Sequence, residues 1–163
     1  MNLSNEPLRL LADGMLGRLA RWLRASGYDT TFMPDSHDND LLRCARAEGR
    51  VLLTADHGLA SRRGARVLLI EAQALADQLE QVREALGPPH GGEFSRCVAC
   101  NGELVPVNKS ELADQLPPYV LATQNEFRRC PDCGRTFWPG THVEHMRQML
   151  DARSDAAHSD AAH

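Results

Sequence analysis

Three things are missing from this 163-residue chain, and each absence removes a class of answer. No apolar run approaches the ~20 residues a bilayer-spanning helix needs, so no membrane segment is expected. The amino terminus lacks the charged-then-apolar pattern of a secretory signal, which makes the cytoplasm the expected location. A basic excess is also absent: the net charge is −4, and half of it comes from the last thirteen residues, where three aspartates face one arginine. A near-neutral body counts against tight non-specific binding to nucleic acid, yet leaves room for a local arginine patch. With 42% hydrophobic residues, the chain has length for one good core and a small appendage.

What is present begins with residues 8–28, which read as strand, turn and amphipathic helix in succession. Leu8, Leu10, Leu11 and Ala12 form a short apolar run of the buried-strand kind, and Asp13-Gly14 ends it. Leu16, Leu19, Ala20 and Leu23 then recur on one helical face, which Gly27 stops. Residues 28–33 predict a second strand, and Asp38 stands where a helix cap belongs, ahead of Leu41, Leu42 and Ala45. Further strands are expected at 51–54 and 67–70, with a helix over 73–86. Strands alternating with helices predict an α/β fold with a parallel sheet covered on both faces.

That topology has a chemical consequence. All strand carboxyl ends point to one edge, where ligands bind, so Asp13, Asp38 and Asp56 are expected to converge there. Singly, each is also what a turn, a cap or a strand closure uses. Together they would repel one another unless a cation neutralised them, and Mg2+ or Mn2+ suits all-oxygen donors. Arg18 and Arg21, at the start of a helix leaving that edge, are the first candidates for phosphate contact. Arg24, Arg62, Arg63 and Arg66 either join that rim or are solvated faces.

Five cysteines would suggest disulfides, but four of them form two Cys-x-x-Cys pairs, and the fifth, Cys44, lies in a helical pattern. Cys97, Cys100, Cys130 and Cys133, in two knuckles 29 residues apart, predict a four-thiolate structural Zn2+ site of ribbon type. A helix near 109–116 is expected to fill the gap. Phe137 and Trp138 are expected to pack the ribbon, and His142 and His145 to decorate a terminal helix over 143–150. The segment 87–95, GPPHGGEFS, has a linker's composition. The expected domains are therefore 1–87, an α/β domain, and 96–150, a zinc ribbon, followed by a disordered tail over 151–163.

With those residues in hand, the chain resembles the Mut7-C RNase family, PIN-like RNase domains that carry a zinc ribbon. The resemblance rests on LADGMLGRLARWLRASGYD, the Asp38-x-x-Leu41-Leu42 helix start, GRVLLTADHGLA over 49–60, CVACNGELVPV, the PPY at 117–119 and CPDCGRTFWPGTH. It covers roughly residues 8–147. It implies a PIN-like three-layer α/β fold and metal-dependent cleavage of RNA, structured or ribosome-associated, with Asp13, Asp38 and Asp56 as the acidic positions. Two positions depart from the pattern: Asn39 replaces a second acidic residue common beside Asp38, and Ala55 replaces an arginine common before Asp56. Because a fold hosts more than one function, a non-catalytic RNA- or ribosome-binding module and a protein-binding adaptor stand as the alternatives.

Overall fold

The computed structural model describes residues 6–140, 144–149 and 151. The expectations for His142 and for the tail beyond residue 151 lie outside them. Contacts divide the chain into two compact units between Glu103 and Leu104.

The first unit is built on four parallel strands, β1 (Arg9–Asp13), β2 (Asp29–Met33), β3 (Val51–Thr54) and β4 (Val67–Leu69), in the order β2-β1-β3-β4. Helices α1 (Gly17–Ser26), α2 (Asp38–Glu48), α3 (His57–Ala60) and α4 (Leu75–Leu86) connect or follow them. Because side chains alternate along a strand, the central pair β1 and β3 feeds two cores. Leu10, Ala12, Val51 and Leu53 pack with Leu19 and Leu23 of α1 and Val82 of α4. Leu11 and Leu52 pack on the other face with Leu41, Leu42 and Ala45 of α2. The result is a sheet between helical layers, as the alternation of strands and helices predicts.

Several boundaries differ from the expectation for physical reasons. Asp13 is the last residue of β1 rather than the first beyond it, because it stays in register with Met33. Tyr28 falls outside β2, since its N–H closes the end of α1 on the Leu23 carbonyl while Gly27 takes φ 103°. The cap of α2 is His37, whose carbonyl accepts from Leu41 N, so Asp38 is the first helical residue and not the cap.

The 87–95 segment is fitted to the α1–β2 turn. The Tyr28 hydroxyl donates to Gly87 O at 2.7 Å, and burial pushes the phenol pKa up to about 12, so this donor keeps its proton. Phe94 N donates to Ala25 O at 2.8 Å. A Cβ on Gly27 would lie 2.3 Å from Gly91 O, which excludes any side chain there.

The second unit has a short antiparallel sheet of β5 (Val105–Pro106), β6 (Arg128–Arg129) and β7 (Thr136–Phe137), ordered β5-β6-β7. Its core is Leu112, Val120 and Phe127, with Trp138 tilted against Phe127 at 6.3 Å between ring centres. Instead of one helix near 109–116, a 3-10 turn (Lys109–Leu112) precedes helix α5 (Pro118–Thr123). Residues 144–149 are helical, with His145 exposed.

Edge strand β2 opens on a charge with several partners, Asp29. Asp29 Oδ1 accepts from Arg50 Nη1 and from Asn101 Nδ2, both at 2.8 Å, and Arg96 lies 3.8 Å from its other oxygen. Burial works to raise the Asp29 pKa, but these hydrogen bonds and positive charges outweigh it and hold the carboxyl below its usual value. A lowered carboxylate pKa gives stability that is present above the unfolded value of about 3.9 and is lost as the pH falls below it. Asp29→Asn is therefore expected to cost about 1.5–3 kcal/mol near neutrality. In urea titrations at several pH values, the gap from wild type should shrink on acidification.

Candidate active site and metal centre

The strand order places a topological switch between β1 and β3, since the chain leaves β1 for β2 on one side and reaches β3 on the other. Ligand sites of parallel sheets form outside the carboxyl ends at such a point. Asp13 ends β1, and Asp56 follows β3 by two residues. Asp38 opens α2 after β2.

Asp13 is buried, with 5% of its surface exposed. Its Oδ1 accepts from Met15 N at 3.0 Å, which caps the 3-10 turn Gly14–Leu16, and its Oδ2 accepts a short hydrogen bond from the Thr54 hydroxyl. Thr54, fully buried at the end of β3, also accepts from Asp56 N at 3.0 Å through the same oxygen. One hydroxyl thus ties the Asp13 carboxylate to the Asp56 backbone. Thr54 is not among the residues that the sequence singles out; the signal for it is a hydroxyl ending the apolar run Val-Leu-Leu.

The other carboxylates have their own partners. Asp56 Oδ1 accepts from Leu59 N at 3.1 Å and caps α3, and the absence of a side chain at Gly58 leaves that oxygen room. Asp38 lies 3.7 Å from Arg62 Nη1, and Arg62 Nη2 donates a short hydrogen bond to Asn39 Oδ1. Asp40 pairs with Arg43. Asp13 and Asp56 are thus linked through Thr54, whereas Asp38 is engaged separately. Among the described residues, the one set of three or more candidate ligands with all donor atoms within 4.8 Å is cysteine, not aspartate. The Asp13 and Asp56 carboxylates and the Thr54 hydroxyl that links them offer oxygen, the donor type a hard divalent ion takes.

Arg18 and Arg21 are exposed on α1. Arg24, grouped with them in the sequence, is buried: its Nε donates to Thr30 O at 2.8 Å and its Nη1 to Val98 O at 3.0 Å. Burial lowers its pKa from the ordinary arginine value, while negative charge on Cys100 and Cys97 acts in the opposite direction. Arg24 is thus a structural cation beside the first knuckle rather than a phosphate contact.

The candidate metal centre comprises Cys97, Cys100, Cys130 and Cys133, whose sulfurs all lie within 4.8 Å of one another. Tetrahedral zinc with bonds near 2.3 Å sets sulfurs about 3.8 Å apart, so the set fits that ion. The two knuckles share one hydrogen-bond pattern. Asn101 N donates to Cys97 O and Cys97 N to Gly102 O; Gly134 N donates to Cys130 O and Cys130 N to Arg135 O, each at 2.8 Å. The residue after each second cysteine is left-handed, at φ 73° for Asn101 and 78° for Gly134. Glycine adopts this shape freely and asparagine tolerates it. Asparagine has a further use here, because Thr30 N donates to its Oδ1 at 2.9 Å, capping the edge of β2.

A parallel-sheet α/β unit with carboxylates at its switch point, in a chain with a four-cysteine centre, defines the class. Within it the chain belongs to the Mut7-C RNAse domain family, whose profile matches residues 8–150. It is similar to the exonuclease mut-7 homolog of Homo sapiens, at 36% identity over 103 residues, 57% of this chain. The chain spans only 12% of the length of that relative. No solved structure matches, and among the described residues no helix is long and apolar enough to cross a membrane.

Substitutions at Cys130 and Thr54 probe these assignments. Cys130→Ser should lower the zinc content found by elemental analysis, and hydrogen exchange at the amides of residues 130 and 134 should rise while β1 and β3 keep their protection. Thr54→Val should cost about 1–3 kcal/mol in urea unfolding by stranding the Asp13 oxygen and the Asp56 N–H, and Thr54→Ser should restore most of it.

Proposed function

We propose that this chain is a PIN-like, metal-dependent ribonuclease that hydrolyses RNA phosphodiester bonds at the β1–β3 switch point. Family membership supports the reaction class, and the observation that carries the location is the Thr54 hydroxyl joining Asp13 to Asp56 there. Asp13, Asp38 and Asp56 are the residues that would hold Mg2+ or Mn2+. Such an ion supplies charge neutralisation at a phosphate and a more acidic water.

The chain's own residues do the rest. Thr54 and Met15 N orient the Asp13 carboxylate, so its geometry is set before substrate arrives. Asp56 keeps its second oxygen for the site while the first caps α3. Arg18 and Arg21, exposed on α1, contact backbone phosphates and position the RNA without reading its sequence. In this reading residues 1–87 are the catalytic domain, and residues 96–150, with structural Zn2+, dock structured or ribosome-associated RNA in the cytoplasm.

One observation favours the alternative, a non-catalytic RNA- or ribosome-binding module: each carboxylate already has a protein partner. Cleavage of RNA by purified protein, with Mg2+ or Mn2+ added and then chelated, separates the two. Asp13→Asn and Asp56→Asn should reduce cleavage to the level of the chelated wild type, with Asp56→Asn keeping its melting temperature because asparagine caps helices as well as aspartate does. Full metal-dependent activity in both variants would refute the assignment of this edge.

A further inference from the structure

The loop between α3 and β4 carries Arg62, which reaches across to the first turn of α2. There its guanidinium meets two consecutive residues, Asp38 at 3.7 Å and Asn39 through a short hydrogen bond. Both members of the ion pair are partly exposed, at 42% and 48% of their side-chain surfaces, so water and ions reach it. Asn39 has no charge of its own to hold a guanidinium, but its amide oxygen fixes the direction from which Arg62 approaches Asp38. Arg62 thus brings a positive charge to one of the three carboxylates expected to bind a divalent ion.

We propose that Arg62 is the built-in counter-cation of Asp38, displaced when a divalent ion binds and then used as a ligand for RNA phosphate. This rests on the ribonuclease reading and assigns Arg62 a role within the same site. The physical basis is competition: the guanidinium and the metal ion seek the same carboxylate charge. Once displaced, Arg62 remains tethered at the mouth of the site by a loop only a few residues long. A planar guanidinium with a fork of donors suits phosphate oxygens better than an ammonium does. Arg62 would therefore become available to a phosphate only once its pairing with Asp38 is broken.

The test is calorimetric titration of Mn2+ into the zinc-loaded whole chain, for wild type, Arg62→Gln and Arg62→Lys. An exposed ion pair is worth a factor of about two to five in an equilibrium constant, so Arg62→Gln should bind Mn2+ tighter by about that factor. Arg62→Lys, which keeps the competing charge, should stay near wild type. In an Asp38→Asn background the glutamine substitution should have no further effect. The second readout is the KM for single-stranded RNA at saturating Mn2+, which should rise in Arg62→Gln. Unchanged or weaker Mn2+ binding in Arg62→Gln, or Arg62→Lys behaving like Arg62→Gln, overturns the counter-cation role and leaves the ribonuclease reading standing. An unchanged KM overturns the phosphate role. Absence of Mn2+ binding in every variant overturns both this inference and the acidic-site reading on which it rests.

Discussion

The hydroxyl of Thr54 is the interaction on which the carboxyl edge of the sheet depends. It is fully buried, and it works in both directions, donating to a carboxylate and accepting from a backbone N–H. Buried polar groups of this kind are costly when unpaired and rigid when satisfied. Here both partners belong to candidate ligands, so the bond that closes β3 also fixes the distance between Asp13 and the start of α3. Packing beneath it keeps that fixed, because Leu11 and Leu52 are enclosed on one face and Leu10 and Leu53 on the other.

At the other end of the first unit, ionic and amide groups do comparable work. β2 is an outer strand, and outer strands expose N–H groups that invite unwanted pairing. Asn101 covers one of them at Thr30, while Arg24 covers the Thr30 carbonyl. The same two residues hold the loop that carries Cys97 and Cys100 to α1 and β2. Arg24 also offsets part of the negative charge that four thiolates and one divalent ion would leave.

How much of this was legible in the sequence follows from what each residue advertises. The run at 51–54 marks β3 with its observed bounds, because a strand enclosed on both faces is apolar up to the Thr54 that ends it. The cysteine set was legible because ligand spacing is written into the chain. Arg24 was not: helical periodicity records only that it lies off the apolar face, and its burial depends on a carbonyl six residues away and another 74 away. α5 was missed because Pro117-Pro118 reads as a break, although proline is well suited to the first helical turn. For the aspartates the sequence supplied their places after β1, β2 and β3, while their individual partners, Thr54, Leu59 and Arg62, arise from backbone geometry and long-range approach.

The glycine- and proline-rich segment after α4 has the composition of a flexible tether, yet it is seated at Gly87, Gly91 and Phe94 against the turn between α1 and β2. It therefore acts as a measured spacer. Its length meters how far the chain travels from α4 before Cys97, and an inserted residue could not be absorbed as slack, because the segment is anchored near both ends and abuts Gly27 between them. Natural variation in length should accumulate elsewhere, and a fusion or epitope placed in this stretch would disturb the first pair of knuckle cysteines.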